Sequence, residues 1–153
     1  MIDGMVIRDA QPRDLDAIRM LLKNAGLPLA GTEATRFVVA ERAGTIVGTA
    51  GLEVHGESAL LRSVAVDPSW RGNGAGEALV RRALDTAVAC HLDPVVLLTT
   101  TAPDWFHRFG FECIQRARVP GVLLESAEFT GACPDTATIM RCSPDAPLRG
   151  ATR

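Results

Sequence analysis

The sequence predicts an α/β domain, a single mixed β-sheet with helices on both faces. Three observations carry that expectation. Apolar residues recur at helical spacing in two stretches, Leu15 to Leu22 and Leu79 to Val88. Runs of strand-forming residues, bounded by Gly, Pro and Asp, lie between and after those stretches. One of the runs, "PVVLLTT" (94–100), is apolar without alternation, as a strand covered on both faces requires. With 153 residues, 47% hydrophobic and 22% charged, the chain can fill one core and is too apolar to be disordered.

The elements follow in order. "MVIRDA" (5–10) reads as a first strand. Pro12 suits the first turn of a helix, where its missing N–H costs nothing. Leu15, Ile18, Leu21 and Leu22 share one face of that helix, and Gly26 ends it. "GLPLAGTEAT" (26–35) is a loop or a short irregular helix. "RFVVAE" (36–41) and "TIVGTAGLEV" (45–54) are strands joined by "RAG" as a hairpin. "ALLRSVAVD" (59–67) is a third long strand, stopped by Asp67-Pro68. An amphipathic helix begins near Gly74, with Leu79, Val80, Ala83, Leu84, Ala87 and Val88 inward and Glu77, Arg81, Arg82 and Asp85 outward. After the buried strand at 94–100 come a short helix from Pro103 to Gly110, a strand at 111–119, one or two helical turns at 121–129 and a last strand at 136–142. The domain is expected to span residues 1–142, with 143–153 a flexible C-terminal tail.

Composition excludes several classes of function. A net charge of −2 gives no electrostatic reason for a nucleic-acid or anionic-membrane partner. The N-terminus lacks a signal-peptide pattern and no stretch reaches membrane-spanning length, so the expected location is cytoplasmic. Cys90, Cys113, Cys133 and Cys142 are far apart and form no CxxC motif, so they read as reduced thiols with no metal site.

The stretch "RGNGAG" (71–76) carries the most chemistry. Glycines let a backbone turn tightly and approach a ligand. The helix behind them offers unpaired N–H groups and the positive end of a dipole. The stretch is therefore either a tight turn or an anion cradle suited to phosphate, with Arg71 adding charge. It is not a GxxxxGK[ST] loop, and the third glycine of GxGxxG would fall on Glu77.

"LRSVAVDPSWRGNGAGEALV" resembles the acetyl-CoA signature of the GNAT superfamily of N-acetyltransferases, and "LLTTTAPDWFHRFGF" resembles its next strand and helix. The resemblance implies the GNAT fold and acetyl-CoA as cosubstrate, over roughly residues 5–142. It implies that Arg71, Gly72, Asn73, Gly74, Ala75 and Gly76 hold the CoA pyrophosphate and that Glu77 opens the helix. It also implies that Val64, Ala65 and Val66 pair with the pantetheine arm, with the Val64 N–H donating to the thioester carbonyl. Arg108 becomes a candidate for the CoA phosphates. Where many family members carry a tyrosine that protonates the departing thiolate, this chain has Phe106, and it has no tyrosine at all. Phe106 is left to pack against the cofactor, in the core, or both.

The acceptor side is less determined. Glu53, His55, Glu57 and Glu33 are candidate bases for an incoming ammonium. Arg62 could hold an oxyanion as a bidentate pair, with Ser63, Thr99, Thr100 and Thr101 completing the contacts and Arg36 as a second cation. "VLLTTTAPDWFHRFGF" is similar to the acetyltransferase domain of N-acetylglutamate synthases. With "GLP", "LLRSVAVDP" and "VP…SAEF…CP…M", the whole chain looks most like the stand-alone arsenic-resistance N-acetyltransferases. Both resemblances imply a small acidic amino acid, or an arsenical or phosphinic analogue of glutamate, acetylated on its α-amine by direct attack. They also imply glutamate acetylation in arginine biosynthesis as an alternative, and a homodimer. A binding-only acetyl-CoA sensor, and arsenite capture by Cys113, Cys133 and Cys142, are the competing classes.

Overall fold

The computed structural model describes residues 4–133 and 136–145. Its seven strands form one mixed sheet in the order β1-β2-β3-β4-β5-β7-β6. They are β1 (Met5–Asp9), β2 (Thr35–Arg42), β3 (Thr45–His55), β4 (Ser58–Val66), β5 (Val95–Thr99), β6 (Glu112–Cys113) and β7 (Thr138–Cys142). The helices are α1 (Leu15–Asn24), α2 (Ala75–Ala89) and α3 (Pro103–Phe106). The last strand, expected from 136, begins at Thr138, and the expected tail lies outside the described residues from 146 onward.

The first four strands are antiparallel neighbours because short turns join most of them. Ala43 and Gly44 turn β2 into β3, both at positive φ (52° and 81°), as a two-residue hairpin demands. The single parallel pairing, β4 with β5, spans α2, the long crossover that parallel strands need.

Each helix buries the stripe its sequence prescribes. Ile18 and Leu22 of α1 pack on Phe37, Val39 and Ala65. On the opposite face Leu79, Val80, Ala83, Leu84 and Ala87 of α2 pack with Val38, Ala50, Leu52 and Leu61. Each Val, Leu or Ile among them contributes about 1.5–3 kcal/mol on full burial. Among the described residues no helix is long and apolar enough to cross a membrane.

Two expectations need correction. The strand foreseen at 111–119 is only Glu112–Cys113, followed by a 3-10 turn at Arg116–Arg118. The Ile114 N–H to Ile139 O bond is its last link to β7, after which the chain leaves the edge. It folds back so that Val119, Leu123 and Phe129 cover Leu60 and Val96, a burial that a solvated edge strand could not provide. The helix expected from Pro103 to Gly110 is helical only to Phe106; a 3-10 turn, His107–Phe109, completes it before Gly110 at φ 90°.

Candidate active site

The sheet opens between two adjacent strands. β4 pairs with β5 only at Ala59↔Val95 and Leu60↔Val96. Beyond that point β4 carries a bulge. Gly51 faces Arg62 and Thr49 faces Ala65, so Ser63 and Val64 both stand against Ala50. Ser63 adopts φ 60°, a conformation unusual for a residue with a Cβ. A bulge bends its strand and increases the local twist. Val64, Ala65 and Val66 therefore lie past the last β5 pair, along a slot where an extended ligand could add like a strand.

The slot leads to a helix start. Asp67 accepts from the Ser69 amide (2.9 Å) and hydroxyl (2.6 Å), which turns the chain out of β4. These bonds hold the Asp67 carboxyl below its usual range. Gly72 and Gly74 take φ 82° and 81°. Gly74 is the N-cap of α2 and has no side chain to occupy the helix amides. The first intrahelical bond is Ala78 N–H to Gly74 O (3.0 Å), so the amides of Ala75, Gly76 and Glu77 have no acceptor within the helix. Arg71 is exposed beside them, its Nε donating to Val66 O (3.3 Å), and Asn73 Nδ2 donates to Trp70 O (3.4 Å). Glu77 would repel an anion, but Arg81 (3.5 Å) and Arg108 (3.4 Å) both pair with it. Arg108 also lies over the Trp105 ring, 5.2 Å from its centroid, and so ties α3 to the first turn of α2.

Phe106 is buried in the main core against Trp105, Phe109 and Phe111, with ring centroids 4.9, 6.4 and 6.0 Å away. It offers no donor.

The residues foreseen on the acceptor side separate into groups. Arg62 is buried on the face covered by α1 and the 116–132 segment, with its side chain fully enclosed. Its guanidinium donates to Glu53 Oε2 (2.9 Å), Ser63 Oγ (3.1 Å) and Pro28 O (3.3 Å), and it pairs with Glu128 Oε2 (3.4 Å). No part of it is open to solvent, so it does not stand ready for an incoming acid group. Burial pushes the Glu53 carboxyl up, but bonds from Ser126, His55 and Arg62 outweigh it and hold the group below the usual carboxylate range. Burial raises Glu128, and Arg62 offsets this only in part.

Glu128 and Pro28 beside Arg62, and Ser126 beside Glu53, were not foreseen, because their approach depends on two irregular loops. The weak signal for Glu128 was its place between Ala127 and Phe129, at the apolar end of "VLLESAEF" (122–129).

His55 touches Glu53 (2.7 Å) but faces Ser58, six positions before Val64, roughly 20 Å along the strand. Glu57 sits exposed in the turn beyond it. Arg36 and Glu33 line a cavity of about 490 Å³ at the start of β2, where it runs beyond its pairing with β1, with Leu15, Phe37 and Thr86. Two inter-strand spacings, roughly 10 Å, separate β2 from β4. Arg36 instead meets Cys90 Sγ at 3.5 Å. Thr99 Oγ accepts from the amides of Thr101 (3.4 Å) and Ala102 (3.1 Å), which starts α3, while Thr100 and Thr101 are exposed.

The cysteines do not converge. Cys113 is exposed on β6, Cys142 is buried on β7, and Cys133 donates to Glu128 Oε1 (3.4 Å). Burial, with Glu128 beside one and Asp93 near the other, pushes the Cys133 and Cys142 thiols up to about 12. Among the described residues no group of three His, Cys, Asp or Glu side chains is arranged to hold a metal ion.

Comparison with known proteins agrees with this geometry. A family model described as an acetyltransferase (GNAT) domain matches residues 33–113, just over half of the chain. The amino-acid acetyltransferase of Pseudomonas syringae pv. syringae is 37% identical over 90 residues, covering 58% of this chain and 21% of the relative. That of Aeromonas salmonicida is 30% identical over 90 residues, covering 20% of its own length. The chain thus spans about a fifth of the length of these curated relatives. Among solved structures, Rv2747 from Mycobacterium tuberculosis, in complex with CoA and NLQ, is 28% identical with a TM-score of 0.75, covering 90% of this chain and 98% of that one. N-acetylglutamate synthase from Neisseria gonorrhoeae, complexed with coenzyme A and N-acetyl-glutamate, has a TM-score of 0.79 at 22% identity, covering 93% of this chain and 35% of that one, and shares the fold.

Proposed function

The chain belongs to the GNAT acetyltransferase family, and from that premise we propose that it transfers the acetyl group of acetyl-CoA to the α-amine of a small amino acid. The observation that carries this reading is the parting of β4 from β5 just before a helix start with uncapped amides. In this reading the pantetheine arm runs along Val64, Ala65 and Val66. The pyrophosphate rests on the loop from Arg71 to Gly76 at the start of α2, with Arg108 alongside.

The chemistry then follows from positions. The amine attacks the thioester carbon, the carbonyl oxygen gains negative charge, and the Val64 N–H stabilises it. The C–S bond breaks, CoA departs as a thiolate, and the nitrogen loses its proton to solvent, from which the thiolate regains one. A thiol has an unperturbed pKa of about 8.5, so departure does not require a proton from position 106. Positioning two reactants lowers a barrier by roughly 7–11 kcal/mol, against the roughly 10²–10⁴-fold of one acid–base group. Of the foreseen bases, Glu53 lies nearer the bulge than His55, opposite Leu60.

The acceptor in this reading is a small acidic amino acid: glutamate, or an arsenical or phosphinic analogue of it. The amino-acid acetyltransferases among the relatives support the class. The test is thiol release from acetyl-CoA across a panel of glutamate, its arsenical and phosphinic analogues, neutral amino acids, lysine and polyamines. Release with glutamate-like acceptors is expected. A strict preference for polyamines or the lysine side chain would remove the acceptor class. Binding of acetyl-CoA without thiol release by any amine would identify a sensor.

A further inference from the structure

The bulge in β4 is held by something, and its holder is a side chain that sequence reasoning had given another task. Ser63 stands at φ 60° without being glycine or asparagine. Conformations of this kind persist where the surroundings over-determine them. The surroundings here are one guanidinium. Arg62 Nε donates to Ser63 Oγ (3.1 Å), while the rest of the group is fixed by Glu53 on β3, Pro28 on the α1–β2 loop and Glu128 on the β6–β7 segment. The space it fills is reserved for it. A Cβ on Gly31 would come within 2.6 Å of Arg62 Nη1, and Gly31 itself sits at φ 84°. Four separate parts of the chain therefore meet on a cation whose neighbour in sequence is the strained residue and whose next neighbour is Val64.

We propose that Arg62 is a positioning residue: through Ser63 Oγ it locks the β4 bulge so that the Val64 N–H faces the thioester carbonyl, and it does not bind the acceptor's acid group. The guanidinium is fully enclosed and its charge already faces two carboxylates. The inference rests on the acetyl-CoA reading above, and it names how that site is held in register.

The test needs no acceptor. Acetyl-CoA and CoA differ only by the acetyl group, so the ratio of their affinities reports the contact made to the acetyl carbonyl. Isothermal titration of both, with infrared difference spectra of bound carbonyl-¹³C acetyl-CoA, is run on wild type, Ser63→Ala, Ser63→Gly and Gly31→Ala. In wild type, acetyl-CoA binds more tightly than CoA and its carbonyl band shifts to lower frequency. Ser63→Ala keeps the strain and loses the anchor, so the preference falls by roughly fivefold, the worth of one hydrogen bond. Gly31→Ala displaces the guanidinium and does the same. Ser63→Gly recovers most of the preference, because glycine holds a positive φ unaided. An unchanged ratio and band in both Ser63→Ala and Gly31→Ala would overturn the inference, as would equal losses in Ser63→Ala and Ser63→Gly. Wild type that fails to bind acetyl-CoA at all would instead sink the functional reading.

Discussion

Phe106 occupies a position where a hydroxyl would be expected to work, and the structure surrounds it with three other aromatic rings. Its first contribution is therefore to packing. Phe106→Ala should cost about 3–5 kcal/mol of stability, the range for emptying a buried aromatic site, read as a lower denaturation midpoint. It should also slow thiol release, by loosening the wall of the cleft. Phe106→Tyr should fold and turn over at or slightly above the wild-type rate. Full turnover in Phe106→Ala would leave the residue with no part in positioning the thioester. At this scale the sequence told residue types well and partners poorly. The glycine loop, from Arg71 to Gly76, was legible because its chemistry is local: glycines, a helix start and an arginine within a few positions. Arg62 was not, because its partners Pro28, Glu53 and Glu128 lie 34, 9 and 66 positions away, and nothing local says that two of them are carboxylates already pointing at it.

Elements were legible in proportion to their periodicity. α1 and α2 were readable because their apolar stripes are long and regular, and the strands from β1 to β5 because each is bounded by a turn residue. β6 failed because the run at 111–119 says nothing of where its pairing with a neighbouring strand stops. The distance of Arg36 from β4, with β3 between them, was invisible for a similar reason, since strand order is a tertiary property. One joint between elements is open to a direct test. Asp14, at the start of α1, accepts from the Gln11 amide (2.7 Å) and from Arg8 on β1 (2.8 and 3.1 Å). The Arg8 bond is the main cause that lowers its pKa from 3.8 to about 2. A carboxyl whose pKa is depressed by folding stabilises the native state above its unfolded value and loses that contribution as pH falls through the folded one. The β1–α1 joint should thus be fully supported above pH 4 and weaken between about 4 and 2. Thermal melts of wild type and Asp14→Asn should differ at pH 7 and converge toward pH 2. A gap that stays constant over that window would show that the ion pair adds nothing.

The whole molecule is organised around one break in its sheet. The four antiparallel strands β1 to β4 and their α1 cover form one half, and β5, β7 and β6 the other. The two halves share only two residue pairs before β4 bends away. α2 covers β2, β3 and β4 on one face, and its open amides begin shortly after β4 ends. An elongated ligand with an anionic end and a reactive end fits such a path, with the chemistry at the bulge and the charge at the helix. The most direct test of that claim is calorimetric titration of acetyl-CoA into wild type, Gly74→Ala and Gly74→Glu. A Cβ at Gly74 meets nothing within 4 Å but is strained at φ 81°, so alanine reports the strain alone and glutamate adds a negative charge at the cradle. Gly74→Glu should bind roughly two- to fivefold more weakly than Gly74→Ala, in line with adding a negative charge where a helix N-terminus holds an anion. Equal affinity in the two variants would contradict the placement of acetyl-CoA in this cleft.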